Sequence, residues 1–192
     1  DQIAFRDNQR YVARLMRSPQ PEPQRVQFQA DSTYLITGGS GGIGLLTAQW
    51  MVEHGARHLV LVSRSPASEP TKQVLQPLEE VGAHIAVMQA DVSQKEQIAG
   101  VFTHIQEKLP PLRGIIHAAG IFDDQLLQNH QWDRFARVLA PKVAGAWNLH
   151  ILSRDTTLDF FILFSSASSL FGAPGLGNYV AANTFLDVLA HY

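Results

Sequence analysis

The sequence contains no cysteine. That rules out disulfides and thiolate metal sites and fits a reducing compartment. It also lacks an excess of either charge: 15 Lys and Arg stand against 17 Asp and Glu, so nothing draws the chain to nucleic acid or to an anionic membrane. Long apolar runs are missing too. Stretches such as Phe160 to Phe164 fall far short of the ~20 residues that a membrane span needs. The N-terminal residues carry scattered charges and no continuous apolar segment, so they do not read as a signal peptide. The histidines show no zinc-like spacing, and no metal site is expected. These absences point to a soluble cytoplasmic protein or a piece of one.

What remains is a chain of 192 residues, 45% hydrophobic and 17% charged, enough for one α/β domain with a sizeable core. Apolar residues flank Asp7-Asn8, with Ile3 and Phe5 before it and Tyr11, Val12 and Leu15 after. That pattern predicts a short β-hairpin. Such a ribbon is marginal alone, so it is expected to belong to a neighbouring unit. Residues 18–25 (Ser-Pro-Gln-Pro-Glu-Pro-Gln-Arg) read as an extended proline-rich linker.

From residue 33 strands and helices alternate. Strands are expected at 33–36, 58–62, 84–89, 113–117 and 158–164, the last apolar almost throughout, as in a parallel strand covered on both faces. Helices are expected at 43–54, 69–81, 94–108, 130–153 and 175–192, with Gly55 and Gly82 ending the first two and Pro141 interrupting or bending the fourth. This rhythm predicts a doubly wound parallel sheet of the Rossmann type. The complete dinucleotide fold usually has about six strands, one more than the sequence supplies, so a C-terminally incomplete sheet is expected.

Thr37-Gly38-Gly39-Ser40-Gly41-Gly42-Ile43-Gly44 lies between the first strand and its helix, the setting a dinucleotide fingerprint requires. Glycines let the backbone approach a pyrophosphate, and the helix N-terminus offers free N–H groups. The second strand ends at Ser63-Arg64. An arginine there suits a 2′-phosphate, where an NAD site has a carboxylate, which favours NADPH over NADH. An ordinary solvated arginine is the alternative. Asp91-Val92 after the third strand would meet the adenine amino group, and the small Ala118-Ala119-Gly120 after the fourth would leave room for the cofactor.

Ser166 follows the fifth strand, and Tyr179 and Asn183 stand four residues apart on the last helix, hence on one face. Reduction of a ketone needs a hydride donor, a hydrogen bond to polarise the oxygen, and a proton for the nascent alkoxide. Tyr179 is the expected proton donor, Ser166 the polarising group, and Lys142 the cation beside the phenol and a ligand of the nicotinamide ribose. Tyr179, like Lys142, is also expected among the cofactor contacts. Asn183 would hold Lys142 or a relay water. Each residue alone has a plainer role, in packing, turn chemistry or a solvated surface; their joint presence after a cofactor loop favours catalysis. His117 ends an apolar strand and reads as structural rather than as a base or ligand.

With these residues the chain resembles the ketoreductase domain of modular type I polyketide synthases, complex members of the short-chain dehydrogenase/reductase superfamily. The resemblance rests on Tyr34 to Gly39, Leu61 to Arg64, His117 to Gly120, Leu139 to Gly145, Phe164-Ser165-Ser166 and Tyr179 to Asn183. It implies a tetrad of Lys142, Ser166, Tyr179 and Asn183. It also implies NADPH-dependent reduction of a β-ketoacyl chain carried on the phosphopantetheine arm of an acyl carrier protein, alongside other domains of the same synthase. Residues 1–17 would be the tail of a structural subdomain, 18–31 a linker and 32–192 the catalytic subdomain, with further strands and a substrate lid beyond Tyr192. Phe122-Asp123-Asp124 resembles the Leu-Asp-Asp mark of B-type domains, which form the D-hydroxyl, with Asp124 the informative aspartate. Pro174 fits the same type, and Phe171 stands where A-type domains carry tryptophan. Phe122 in place of leucine, and Leu176 in place of the usual glutamine, depart from the family pattern. Competing readings are a pseudo-ketoreductase scaffold, which should have damaged glycines or tetrad, and a sugar-nucleotide epimerase or NAD-binding regulator, against which Ser63-Arg64 and the Tyr-x-x-x-Asn order argue.

Overall fold

A computed structural model describes residues 3–12, 14, 16, 17 and 26–192. The predicted hairpin is present as β1 (Ile3–Arg6) and β2 (Gln9–Val12), paired antiparallel. Asp7 and Asn8 form its turn with φ of 50° and 61°, the pair of positive values that a type I′ turn demands and that Asp and Asn tolerate.

The catalytic-type sheet contains β3 (Thr33–Thr37), β4 (His58–Ser63), β5 (His84–Gln89), β6 (Leu112–His117) and β7 (Phe160–Leu163). All pairings are parallel and the spatial order is β5-β4-β3-β6-β7. The order reverses between β3 and β6, so a crevice opens at the carboxyl ends of those two strands. The helices are α1 (Gly42–Glu53), α2 (Glu69–Glu80), α3 (Lys95–Lys108), α4 (Trp132–Leu152), α5 (Ser168–Phe171) and α6 (Gly177–Leu189). No helix among the described residues is long and apolar enough to cross a membrane.

The alternation of side chains along the strands divides the core into two layers. Tyr34, Ile36, Leu59 and Leu61 face α1 and α2, whereas Leu35, Val60, Val62 and Ile115 face α3 and α4. Most of these side chains are wholly excluded from solvent, and each contributes about 1.5–3 kcal/mol of transfer free energy. Phe28, in the segment read as the end of a linker, closes the first layer. Its ring lies 5.2 Å from Tyr34, 5.3 Å from Trp50 and 6.0 Å from Phe160. Residues 18–25 of that segment lie outside the described residues.

β7 pairs only with β6, and its side chains reach both layers, Phe160 the first and Phe161 the second, as the apolar run predicts, although Ile162 stays 45% exposed. Two features differ from the sequence reading. α4 continues through Pro141 without a break, because proline removes one ladder bond while the turns on either side pack against the sheet. The last helix, α6, falls within the expected 175–192, but a short α5 that the sequence reading lacks precedes it, across a turn in which Gly172 and Gly175 have φ of 68° and 79°.

Candidate active site

The glycine loop bends back on itself at the end of β3. Gly38 has φ of 70°, and a Cβ there would lie 2.8 Å from the Ala119 nitrogen. A Cβ on Gly39 would lie 2.7 Å from that of Leu61, and one on Gly44 would overlap the Gly38 carbonyl oxygen. The loop's own packing therefore demands these three glycines. Gly42 is different. It opens α1, where glycine is a poor helix former, and a Cβ on it would meet nothing within 4 Å. No contact among the described residues requires it, and its bare backbone would let a phosphate approach the helix N-terminus.

Beside the loop lies a cleft of ≈ 340 Å³, within the ~300–1,000 Å³ span of ligand pockets. Of the residues expected at the cofactor, Thr37, Gly38, Ser40, Gly41, Ser63, Arg64, Asp91, Val92, Ala118, Ala119 and Gly120 line it. Gly39, Gly42, Ile43 and Gly44 form the loop and the first turn of α1 behind and beside these. Arg64 is exposed at the mouth, and its carbonyl accepts from Gln89 Nε2 at 2.9 Å. Asp91 Oδ1 accepts from the backbone and hydroxyl of Ser93 at 2.9 and 2.7 Å, which leaves its second oxygen for an adenine amino group. The open Gly42, an exposed arginine and a fixed carboxylate fit a dinucleotide.

α4 carries Lys142 into the interior at 4% exposure. Its Nζ donates to the Phe164 carbonyl at 2.8 Å and stands 5.7 Å from the centroid of the Tyr179 ring. A Cβ on Gly120 would come within 3.1 Å of the lysine Cε, so the Ala-Ala-Gly sequence makes room for the lysine as well as for a cofactor. Burial lowers the Lys142 pKa to about 8.

Tyr179 and Asn183 share a face of α6 as expected, but Asn183 does not hold the lysine. Its Nδ2 donates to the Tyr179 carbonyl at 2.8 Å, and its Oδ1, fully buried, has no partner. Ser166 sits in a self-bonded turn: its Oγ accepts from Ser168 N at 3.2 Å and lies 2.9 Å from Ser168 Oγ. With Ser168 as donor in both contacts, the Ser166 hydroxyl keeps its own proton to give away. Phe122 stacks on the Tyr179 ring with centroids 4.4 Å apart. Asp124 and Pro174 are exposed on the neighbouring loops, and Phe171 is exposed at the end of α5.

Other residues in the site carried no sequence signal that singled them out. Arg137 lines the cleft, and with Arg134 it pairs with Asp123. Both arginines stand on α4 ahead of Lys142, a placement visible only once that helix is known to pass the site. Asn178, wholly buried, donates from Nδ2 to the Asp123 carbonyl at 3.0 Å and accepts the Tyr179 N–H at 2.8 Å.

His117 is also wholly buried, with Nδ1 2.6 Å from Thr37 Oγ1 and no hydrogen-bond partner for Nε2. Burial first, and the Lys142 charge second, lower its pKa from 6.5 to about 3. A group with a depressed folded pKa stabilises the fold above its unfolded pKa and loses that contribution as pH falls toward the folded value. Between pH 7 and pH 4 this histidine alone is expected to cost about 3 kcal/mol. Urea unfolding across that range should therefore be steeper in pH for the wild type than for His117→Asn; equal slopes would place the acid sensitivity elsewhere.

The family model of the KR domain matches residues 32–192. A 6-methylsalicylic acid synthase of Arthrobotrys oligospora is 42% identical over 210 residues, covering 100% of this chain and 12% of that protein. A phenolphthiocerol synthesis polyketide synthase of Mycobacterium tuberculosis, whose name calls it inactive, is 44% identical over 163 residues, covering 84% of this chain and 10% of its own length. Among solved structures, a ketoreductase domain from the bacillaene assembly line superposes with a TM-score of 0.90 at 36% identity, over 99% of this chain and 45% of that one.

Proposed function

We propose that this chain, which belongs to the KR domain family of polyketide synthases, reduces a β-ketoacyl thioester to the β-hydroxyacyl thioester with NADPH. Domains of this family are oxidoreductases of the short-chain dehydrogenase/reductase type. One observation carries the reading: a lysine only 4% exposed stands 5.7 Å from the ring centroid of a tyrosine beside a dinucleotide-sized cleft. Burying an ammonium is costly, and the packing of the fold gives no reason for it.

The cofactor, when bound, supplies the hydride. Tyr179 gives its hydroxyl proton to the ketone oxygen, and the Lys142 ammonium stabilises the negative charge the phenol acquires. The Ser166 hydroxyl donates to the same oxygen and polarises the carbonyl. The unpartnered Oδ1 of Asn183 accepts from a water that restores the phenol proton. Lys142 Nζ, with one proton on the Phe164 carbonyl, has two left for a ribose hydroxyl and this relay.

The thioester is presented on the phosphopantetheine arm of an acyl carrier protein, within a cytoplasmic synthase whose other domains are further partners. Residues 1–17 are the tail of a structural subdomain, 18–31 a linker and 32–192 the catalytic subdomain. Asp124, Phe122, Pro174 and Phe171 border the substrate side and favour the B-type outcome, a D-hydroxyl. An inactive scaffold, the competing reading, calls for a broken glycine loop or a lost tetrad residue, and this sequence has neither.

The direct test is NADPH consumption with a β-ketoacyl thioester in the complete domain, with the product configuration read alongside. Tight NADPH binding without turnover would turn the reading to a scaffold, and absence of binding would sink the cofactor assignment. Arg64 has its own test. If its guanidinium meets the 2′-phosphate, Arg64→Leu should weaken NADPH by about tenfold or more and leave NADH nearly unchanged, given the strength of charge-assisted bonds. Equal losses for both cofactors would exclude that contact.

A further inference from the structure

The loop after Gly120 is tied down at several points that converge on one residue. The Asp123 carboxylate, with its side chain 8% exposed, accepts from Arg134 and Arg137 of α4. Its carbonyl accepts from Asn178 at the start of α6. Gln125, two residues on, donates its backbone N–H to the Gly175 carbonyl at 2.8 Å and accepts from Arg134 through its side chain. Two helices are thus joined through a single loop. One of the links, Asn178, also receives the backbone N–H of Tyr179.

The residue before this anchor is Phe122, whose ring stacks on Tyr179 although Phe122 is 68% exposed. A ring so open to water gains little from burial, so its place over the tyrosine depends on how the loop is held. Both arginines pull Asp123 well below the usual carboxylate range, and the carboxylate stays charged and bonded wherever the site works. The neighbouring Asp124 is exposed, so the two adjacent aspartates do different work.

We infer that Asp123 is a positioning residue: through Arg134, Arg137 and Asn178 it fixes Phe122 against Tyr179 and so sets the substrate side of the site. As a statement about turnover, this rests on the proposed ketone reduction; as a statement about the loop, it does not.

The test is Asp123→Asn in the complete domain, with amide hydrogen exchange at Gln125 and Tyr179 read beside kcat, KM and product configuration. Expected are about tenfold faster exchange at both amides, kcat lower by about tenfold with the KM for NADPH little changed, and a larger share of the minor hydroxyl configuration. Unchanged exchange at both amides overturns the inference. So does faster exchange with wild-type kcat and configuration. If the wild type itself fails to reduce a β-ketoacyl thioester, the proposed reaction falls, and exchange alone decides whether Asp123 holds the loop. Should Asp123→Asn fail to fold, the pair Arg134→Gln and Arg137→Gln, made on side chains more than a third exposed, reads out the same clamp from its other end.

Discussion

Tyr179→Phe is expected to lower turnover of a β-ketoacyl thioester by about 10²–10⁴, the range that a positioned proton donor contributes, and to leave the fold and NADPH affinity almost untouched. The substitution removes one oxygen and little else. The ring keeps its contact with Phe122 at 4.4 Å, the backbone N–H keeps Asn178, and the carbonyl keeps Asn183. Thermal unfolding should therefore move by no more than a surface change does, about 0.5 kcal/mol. Steady-state turnover and fluorescence titration of NADPH separate the two effects. Turnover near the wild-type level would show that the proton comes from another group, and lost affinity in step with turnover would make Tyr179 a cofactor ligand first. Ser166 supplies a useful contrast. Its alanine variant loses a hydrogen bond to the ketone oxygen but retains the proton source, so its deficit should be smaller than that of Tyr179→Phe.

The parts of this molecule that were legible in advance are those set by local chemistry. Gly44 is required by contacts within one loop, and the strand-loop-helix context of that loop appears in ten consecutive residues. Asp7-Asn8 identifies its own turn, and the split of Leu35 from Ile36 to opposite layers follows from the two-residue repeat of a strand. Lys142 is a different case. It lies far along the chain from Ser166 and Tyr179, and it is named beside them because a phenol that gives up a proton needs a cation, with the family resemblance in support. No spacing fixes its place. The carbonyl of Phe164, which fixes its ammonium, leaves no trace in a side-chain sequence at all. Asp123 and Asp124 are the same residue type side by side. What distinguishes them is two arginines more than ten positions away, so the anchor was unreadable while α4 had no known place.

Lys142→Met joins a large loss of activity to a gain in stability. Burial holds the lysine pKa near 8, against 10.5 for an ordinary lysine, so at pH 7 the folded state keeps a charge that the interior disfavours by about 3 kcal/mol. Methionine fills a similar volume without that charge. It leaves the Phe164 carbonyl without its donor, which returns about 1–3 kcal/mol of the gain, so a net stabilisation of about 0–2 kcal/mol is expected. The sign carries a pH signature. The folded protein releases this proton near pH 8 and the unfolded chain only near 10.5, so wild-type stability should rise through that interval as the disfavoured charge disappears, and the Met variant should lack that rise. Activity runs the other way. The ammonium is needed to stabilise the phenolate and hold the ribose, so wild-type kcat/KM should fall as pH climbs through about 8, and the Met variant should be slower by about 10²–10³ with no such limb. Chemical unfolding at pH 7 and pH 9.5, beside pH–rate profiles of both proteins, measures each half. A Met variant less stable than the wild type at pH 7 would mean that the bond to Phe164 outweighs the desolvation cost. A variant equally active at pH 7 would remove Lys142 from the chemistry. In the proposed reaction, what offsets that cost to the fold is the effect of the Lys142 charge on the neighbouring tyrosine.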